Sequence, residues 1–188
     1  MVRRVKFQQV ASWSTRIGGD PKGTLVAEEG SKIHAAYVPA GGSRFRKQHD
    51  IRLTRTLIDI KVSTLDTGGA LSVAEITSLH KGGPARHLHH EQDEWFYIVE
   101  GRYVIEVGEE RYELGPGDSL LGPRKVAHAW GHVGEGTGRL IAALQPAGEI
   151  EAFFEDLAKL GSTPEREELQ RVFSSNGLEL AGPPLSIE

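Results

Sequence analysis

The sequence of 188 residues contains no cysteine, and this absence limits the chemistry open to the protein. Disulfide bonds, cysteine-ligated zinc and thiol nucleophiles are excluded, so any metal ion must be held by histidine or carboxylate side chains. The chain also lacks a basic excess, because its formal net charge is -4. Nucleic-acid-binding domains usually carry a clustered positive charge. We therefore expect no nucleic-acid partner.

Long apolar segments are missing as well. No stretch approaches the roughly 18 consecutive apolar residues of a membrane-spanning helix, and we therefore expect no membrane partner and a cytoplasmic location. What the chain does have is 38% hydrophobic and 26% charged residues, the composition of an ordinary globular domain. Its length fits one domain, given roughly 100–200 residues per domain.

Glycine and proline, with 23 and 9 residues, divide the middle of the chain into short segments rich in Val, Ile, Leu and aromatic residues. Short segments of this kind between tight turns are typical of an all-β domain. In the sequence GPGD, Pro116 and Gly117 suit the two central positions of a type II turn. The pattern predicts strands over residues 33–38, 55–62, 71–79, 94–100, 103–107, 111–114, 119–121, 127–133 and 139–144.

Beyond Pro146 the apolar residues change to helical spacing. The pattern predicts one amphipathic helix between residues 150 and 160, with Gly161 at its C-cap. A second helix is expected to have Thr163 as its N-cap and Pro164 as its first helical residue. We interpret both helices as packing elements, and we expect the tail LELAGPPLSIE to be extended.

A cluster of histidines and acidic residues, RHLHHEQDEWFYIVEG, occupies residues 86–101. On an extended segment His87 and His89 point to one side, while His90 points to the other. Two adjacent imidazoles with no cysteine nearby are a plausible half of a site for Fe, Mn, Ni, Cu or Zn. An isolated HxH is more often a solvated surface pair, so this pattern alone leaves both interpretations open.

Glu94 and His128 are candidates to complete such a site. Glu94 begins a strand that is apolar on both faces, where an unpaired charge is costly, and a cation held by His87 and His89 would be a suitable partner. His128 and His132 share one face of a later predicted strand. His128 could be a further ligand, and His132 either supports a ligand or is a buried, hydrogen-bonded histidine.

The strand WFYIVEG also predicts a covered surface. With a period of two, Phe96 and Ile98 lie on one face, whereas Trp95, Tyr97 and Val99 lie on the other. An outer face this apolar is expected to be covered. The N-terminal segment, the C-terminal helices and a second subunit are the three candidates.

These residues resemble the two motifs of the cupin superfamily, and the resemblance extends over residues 68–146. The first motif matches Gly82, His87, His89, Glu94 and Gly101, although four rather than five residues separate Gly82 from His87. The second motif lies in GDSLLGPRKVAHAWGH. Its matching residues are Gly117, Pro123 and His128, while Lys125 and His132 replace the usual glycine and asparagine.

The resemblance implies an all-β, double-stranded β-helix (jelly-roll) cupin barrel with one or two C-terminal α-helices. We expect peripheral strands over residues 1–54, the barrel over 55–146, and a helical segment and tail over 147–188. The resemblance also implies one divalent transition metal ion, Fe, Ni, Mn, Cu or Zn, bound by His87, His89, Glu94 and His128. The chain looks most like small, single-domain, quercetin dioxygenase-like cupins, which often form homodimers.

Three functions are compatible with such a site, because a fold does not determine a reaction. The first is a metal-dependent dioxygenase, an oxidoreductase acting on a small enolic or catecholic, flavonol-like substrate. Glu94 would accept the substrate hydroxyl proton as a catalytic residue, and Phe96 and Trp130 would line the pocket or simply pack in the core. The second is a redox-neutral isomerase or lyase that uses the metal as a Lewis acid, with Arg124 and Lys125 facing an anionic substrate. The third is a non-catalytic cupin that binds a small molecule.

Overall fold

The structure is a computed structural model that describes residues 35–187. The described chain is mostly β, with two helices towards its C-terminal end, which confirms the predicted all-β class with C-terminal helices. The elements are β1 Gln48–Ile51, β2 Thr56–Val62, β3 Ser72–Ser78, β4 Ala85–His89, β5 Asp93–Glu100, β6 Tyr103–Val107, β7 Glu110–Leu114, β8 Ser119–Gly122, β9 His128–His132, β10 Gly138–Gln145, α1 Ile150–Lys159, α2 Arg166–Ser175 and β11 Leu178–Pro184.

The strands form two antiparallel sheets. One sheet has six strands in the order β1-β2-β3-β10-β5-β8, and the other has five in the order β11-β4-β9-β6-β7. From β3 onwards the chain passes repeatedly between the two sheets, with β4, β6, β7 and β9 in one and β5, β8 and β10 in the other, as it does in a jelly roll. Phe96, Ile98 and Leu140 from the first sheet and Tyr103 and Ile105 from the second are fully buried. The jelly-roll prediction is thus confirmed.

Most predicted strands correspond to observed ones, and the differences lie at the edges of the sheets. Residues 33 and 34 lie outside the described part of the chain, and residues 35–38 are not a strand, so that prediction was wrong there. Tyr37 is exposed and has no core face on which to pack. Strand β1 pairs with β2, and β11 pairs with β4. The two sheets therefore include residues on both sides of the predicted barrel at 55–146.

The two helices agree with the predicted spacing but not with every predicted boundary. Helix α1 buries Ile150, Phe153, Phe154 and Leu157 on one face. Helix α2 begins at Arg166 with Glu165 as its N-cap, so the prediction of Thr163 at that position was wrong. Glu165 is still extended, with φ −64° and ψ 148°, which delays the first helical turn. None of the described helices is long and apolar enough to cross a membrane.

The positions of the helices leave part of the outer sheet surface uncovered. Helix α1 packs against β1, and α2 packs against β11. On the outside of the six-stranded sheet, Trp95, Tyr97 and Leu121 are 39%, 37% and 52% exposed. The C-terminal helices therefore do not cover this face. The N-terminal segment, residues 1–34, lies outside the described residues.

Candidate metal centre

Four ligand-type side chains meet in the space between the two sheets. His87 and His89 lie on β4, His128 lies on the neighbouring β9, and Glu94 lies near the start of β5 in the opposite sheet. His87 and His128 are direct cross-strand partners. All four residues are buried, and one ligand atom from each lies within 4.8 Å of those of the others. The structure thus brings the four residues of the predicted ligand set together.

The spacing of these atoms suits a single ion. Ligands on opposite sides of one ion, each bound at about 2.1 Å, are roughly 4.2 Å apart. The four ligand atoms lie within 4.8 Å of one another, so small side-chain adjustments are enough to bring opposite ligands to this separation. Oε2 of Glu94 already lies 3.0 Å from Nε2 of His128 and 3.2 Å from Nε2 of His89.

The other nitrogen of each imidazole has a fixed role. In all three rings Nδ1 lies within hydrogen-bond distance of an oxygen that can only accept, so Nδ1 must carry the proton. The neutral form of each ring with this tautomer presents the lone pair of Nε2, the arrangement usual for metal-binding histidines. Nε2 of His128 lies within hydrogen-bond distance of the Glu94 carboxylate, so either a proton or a metal ion must occupy that contact. The accepting oxygens are the carbonyl of Ala85 for His87 at 2.8 Å, the carbonyl of Val126 for His128 at 3.1 Å, and the side-chain amide of Gln92 for His89 at 2.9 Å.

The environment favours the metal-binding protonation states of His87 and Glu94, but not that of His89. Burial, together with the imidazoles of His128 and His89, lowers the pKa of His87 to about 3. Burial opposes ionisation of Glu94, but contacts with His128 and His89 outweigh it and hold the pKa of this carboxyl well below its usual range. For His89, burial favours the neutral ring, but the Glu94 carboxylate outweighs it and raises the pKa. A proton and a metal ion would therefore compete for His89.

An unmatched pair of acceptors is the main indication that a cation belongs here. Nε2 of His89 is buried and has no hydrogen-bond partner of suitable geometry among the described residues, although Oε2 of Glu94 is close. A lone pair that faces a carboxylate in a buried site is unfavourable unless a proton or a metal ion lies between them. Nitrogen and oxygen donors without sulfur suit Fe, Mn, Ni, Cu or Zn. The residues present therefore fit a divalent transition metal ion.

Gln92 supports the site, although the sequence analysis did not single it out. This residue is buried in the turn between the two ligand-bearing strands β4 and β5. Its amide nitrogen donates to the carbonyl oxygen of Ala147, which leaves the amide oxygen to accept from His89. Gln92 thereby holds the His89 ring in place. The only signal in the sequence was an uncharged residue within an acidic run.

The backbone at Lys125 explains one departure from the cupin motif. This residue has a φ of 66°, a conformation that glycine adopts without strain. Its amide nitrogen donates to the carbonyl oxygen of His89 over 2.7 Å. The turn before β9 is therefore tied to the ligand-bearing end of β4. The backbone conformation at this position is thus one that suits glycine, and the exposed lysine side chain takes no part in the site.

A cavity of about 60 Å³, measured as space open to the centre of a water molecule, adjoins the ligands. His87, His89 and Glu94 line it, whereas most of its wall is apolar. Its polar side chains other than the ligands are Thr54, Thr56 and Trp130, and no lysine or arginine from the described residues lines it. The apolar wall consists of Ile51, Leu53, Ile58, Ile76, Pro84, Ala85, Ile150, Phe153, Phe154, Leu157, Leu169 and Phe173. The sequence pattern indicated that the C-terminal helices pack on the domain, but not that they line a cavity.

The predicted pocket residues occupy three different environments. Trp130 lines the cavity. Phe96 is fully buried with its ring centroid 5.9 Å from that of His128, but it is not part of the cavity wall. His132 is fully buried beside Tyr103, with ring centroids 5.2 Å apart, and neither of its nitrogens has a partner among the described residues. His132 lies outside the four-residue ligand group.

The charged residues considered for an anionic substrate lie elsewhere. The side chain of Arg124 forms two hydrogen bonds to Asp93, from Nε to Oδ1 over 3.0 Å and from Nη2 to Oδ2 over 2.7 Å. Lys125 is exposed. His90 is exposed too, as its position in the strand pattern predicted, and its Nε2 lies 3.8 Å from Oε2 of Glu179.

One family model matches the part of the chain that contains the four candidate ligands. The family model described as "Cupin domain" matches residues 76–144. No match was found among the curated proteins. KdgF from Halomonas sp. is 21% identical, with 53% of this chain and 86% of that one covered and a TM-score of 0.47. An RmlC-like cupin from Shewanella frigidimarina NCIMB 400 is 24% identical, with 56% of this chain and 87% of that one covered and a TM-score of 0.46. The polyketide cyclase RemF from Streptomyces resistomycificus is 22% identical, with 53% of this chain and 72% of that one covered and a TM-score of 0.46.

Proposed function

Because residues 76–144 form a domain of the cupin superfamily, as their motifs predicted, we propose that this domain binds one divalent transition metal ion and uses it for catalysis. The observation that carries this proposal is the buried lone pair of His89 Nε2 facing the carboxylate of Glu94. His87 and His128 supply the remaining ligands. When bound, the ion would lower the pKa of a substrate hydroxyl group and promote its reaction with O₂.

The reaction we propose is a dioxygenation of a small enolic or catecholic substrate. The cavity is mostly apolar and lacks a cationic side chain among its described lining residues, which favours a substrate that enters uncharged. Glu94 lines the cavity and is held ionised by its histidine neighbours. As the only carboxylate among the described residues that line the cavity, it is the group that would accept the hydroxyl proton of the substrate. The apolar wall would exclude water from the reacting atoms.

The redox-neutral alternative, an isomerase or lyase, uses the same ligands on a carbonyl substrate. An anionic substrate for it is disfavoured, because Arg124 pairs with Asp93 and Lys125 is exposed, so neither lines the cavity. A neutral keto compound stays compatible with this function. The third function, binding without turnover, is disfavoured because the ligand set is complete.

Metal analysis tests the first part of the proposal. The full-length protein is purified without added metal, and its metal content is measured by mass spectrometry before and after incubation with each candidate ion. We expect about one equivalent in the native protein and none in a His87→Ala/His128→Ala variant. His90→Ala removes an exposed neighbouring histidine and serves as the matched control that keeps its metal. Less than about a tenth of an equivalent in the reconstituted native protein would contradict the metal assignment.

Oxygen consumption tests the second part. The metal-loaded protein is incubated with a small panel of catechols, diketones and flavonols in an oxygen electrode, and the products are compared with those of anaerobic reactions. A dioxygenase consumes one O₂ per substrate and is inactive without oxygen. Conversion under anaerobic conditions would instead favour the isomerase or lyase. Binding without conversion in either condition would favour the non-catalytic function.

A further inference from the structure

The wall of the cavity comes largely from parts of the chain that the family model does not match. Residues 76–144 supply the metal ligands. Helices α1 and α2 add six apolar side chains, namely Ile150, Phe153, Phe154, Leu157, Leu169 and Phe173. All four candidate ligands thus come from the matched residues, whereas much of the apolar wall comes from outside them. Substrate selection can therefore depend on the helices rather than on the shared motifs.

One of these side chains lies directly beside a metal ligand. The ring centroid of Phe173 is 5.6 Å from that of His87, and the two ring planes are inclined by 70°. Phe153 packs edge-on against Phe173, with centroids 4.9 Å apart at 79°. Both phenylalanines are nearly fully buried. A molecule bound next to His87 on the helix side must therefore contact Phe173, and Phe153 limits how far that ring can turn aside.

The cavity in front of these rings is small. A buried water needs about 10–15 Å³ of this kind of volume, so 60 Å³ holds roughly four or five waters or one small ring. Packed interiors yield little to an oversized ligand, because neighbouring side chains are already in contact. A flavonol, with three rings, would need the aromatic pair to be displaced.

We propose that Phe173, held in place by Phe153, determines substrate size and restricts the site to compact, uncharged, single-ring or enolic compounds. The identity of the reacting end of the substrate rests on the proposed function. The size limit, in contrast, is a property of the cavity wall alone. It can therefore be tested with molecules that have no metal-binding group.

The experiment uses benzene and naphthalene as probes of the full-length protein, with binding measured by calorimetry in both metal-free and metal-loaded samples. We expect the native protein to bind benzene and to bind naphthalene at least about tenfold more weakly. Phe173→Ala is expected to reverse this preference. Leu160→Ala is the matched control, because Leu160 belongs to the same buried cluster but does not line the cavity. Its preference should equal that of the native protein.

Circular dichroism establishes that each variant is folded. Phe173→Leu, a milder truncation, takes the place of Phe173→Ala if the latter is unfolded, and it should weaken the preference for benzene. Equal binding of naphthalene by the native protein and the Phe173 variant overturns the proposal, as does failure of the native protein to bind benzene. A size preference without turnover of any catechol or diketone would support this inference and contradict the proposed function. Equal turnover of catechols and flavonols would support the proposed function and contradict the size limit.

Discussion

Gln92 and His89 are joined by a hydrogen bond of 2.9 Å in which the amide oxygen accepts the proton on Nδ1. This contact orients Nε2 of His89 towards Glu94. Gln92→Leu keeps the approximate size of the side chain but removes the acceptor, so we expect metal affinity to fall about 10–100-fold. Competition with a chromogenic chelator measures this change. The exposed Gln170→Leu is the control, and equal affinities in the two variants would contradict the role of Gln92.

Lys125 occupies a left-handed backbone conformation, with φ at 66°. A non-glycine residue pays about 1–2 kcal/mol for this conformation, part of which glycine recovers. Lys125→Gly should therefore raise the free energy of unfolding by about 0.5–1 kcal/mol, as measured in urea. Lys125→Ala also removes the charge but retains the strain, so it should not stabilise the protein. Equal stability of the two variants would show that the backbone conformation is not the cause.

Burial of Tyr103 raises the pKa of its hydroxyl group to about 12, and this shift predicts a dependence of stability on alkaline pH. In the unfolded chain a tyrosine ionises near pH 10. Its contribution is therefore complete below pH 10 and is lost as the pH rises towards 12, by up to about 1.4 kcal/mol per pH unit. Tyr103→Phe removes this contribution, although it also removes the hydrogen bond to Ser78. Urea unfolding at pH 9, 10 and 11 should show the native protein losing stability faster than the variant. Parallel losses would exclude Tyr103 as the source.

A homodimer stays a prediction, and the exposed patch of Trp95, Tyr97 and Leu121 is where we propose the second subunit binds. Trp95 and Leu121 are cross-strand partners on β5 and β8, and the ring of Trp95 stacks on Tyr97 with centroids 5.8 Å apart. Edge strand β8 borders the patch. Apolar surface of this kind favours association.

Light scattering tests this interface. The native chain should have twice its monomer mass of 20.5 kDa, and a Trp95→Glu/Leu121→Glu variant should be monomeric because buried carboxylates would have no partners. Leu65 is 81% exposed and belongs to neither of these strands, so Leu65→Glu is the control and should leave the mass unchanged. A monomeric native protein, or a dimeric double variant, would contradict the proposed interface.

The cytoplasmic location also stays a prediction.

Local patterns were sufficient to predict the central strands and one of the turns. The GPGD turn has the expected geometry, with φ at 95° for Gly117 and a hydrogen bond of 3.0 Å from the Asp118 amide to Gly115. The alternation of buried and exposed residues in β5 was also predictable, because a strand repeats every two residues. Strands β1 and β11 were harder to predict as strands. Both are edge strands that are extended because they pair with β2 and β4.

By itself, the sequence determined the all-β class, because strand period and turn residues are local properties, and its resemblance to the two cupin motifs implied the jelly roll and the four residues of the candidate metal centre. Only the tertiary structure decided that Gln92 binds Ala147 and that Phe173 faces His87. These pairs are separated by 55 and 86 positions in the chain. The apolar stripe of a helix predicts that the stripe will be buried, but not what it will contact. The path of the whole chain places this stripe over the metal centre, and so determines which substrates the cavity can accept.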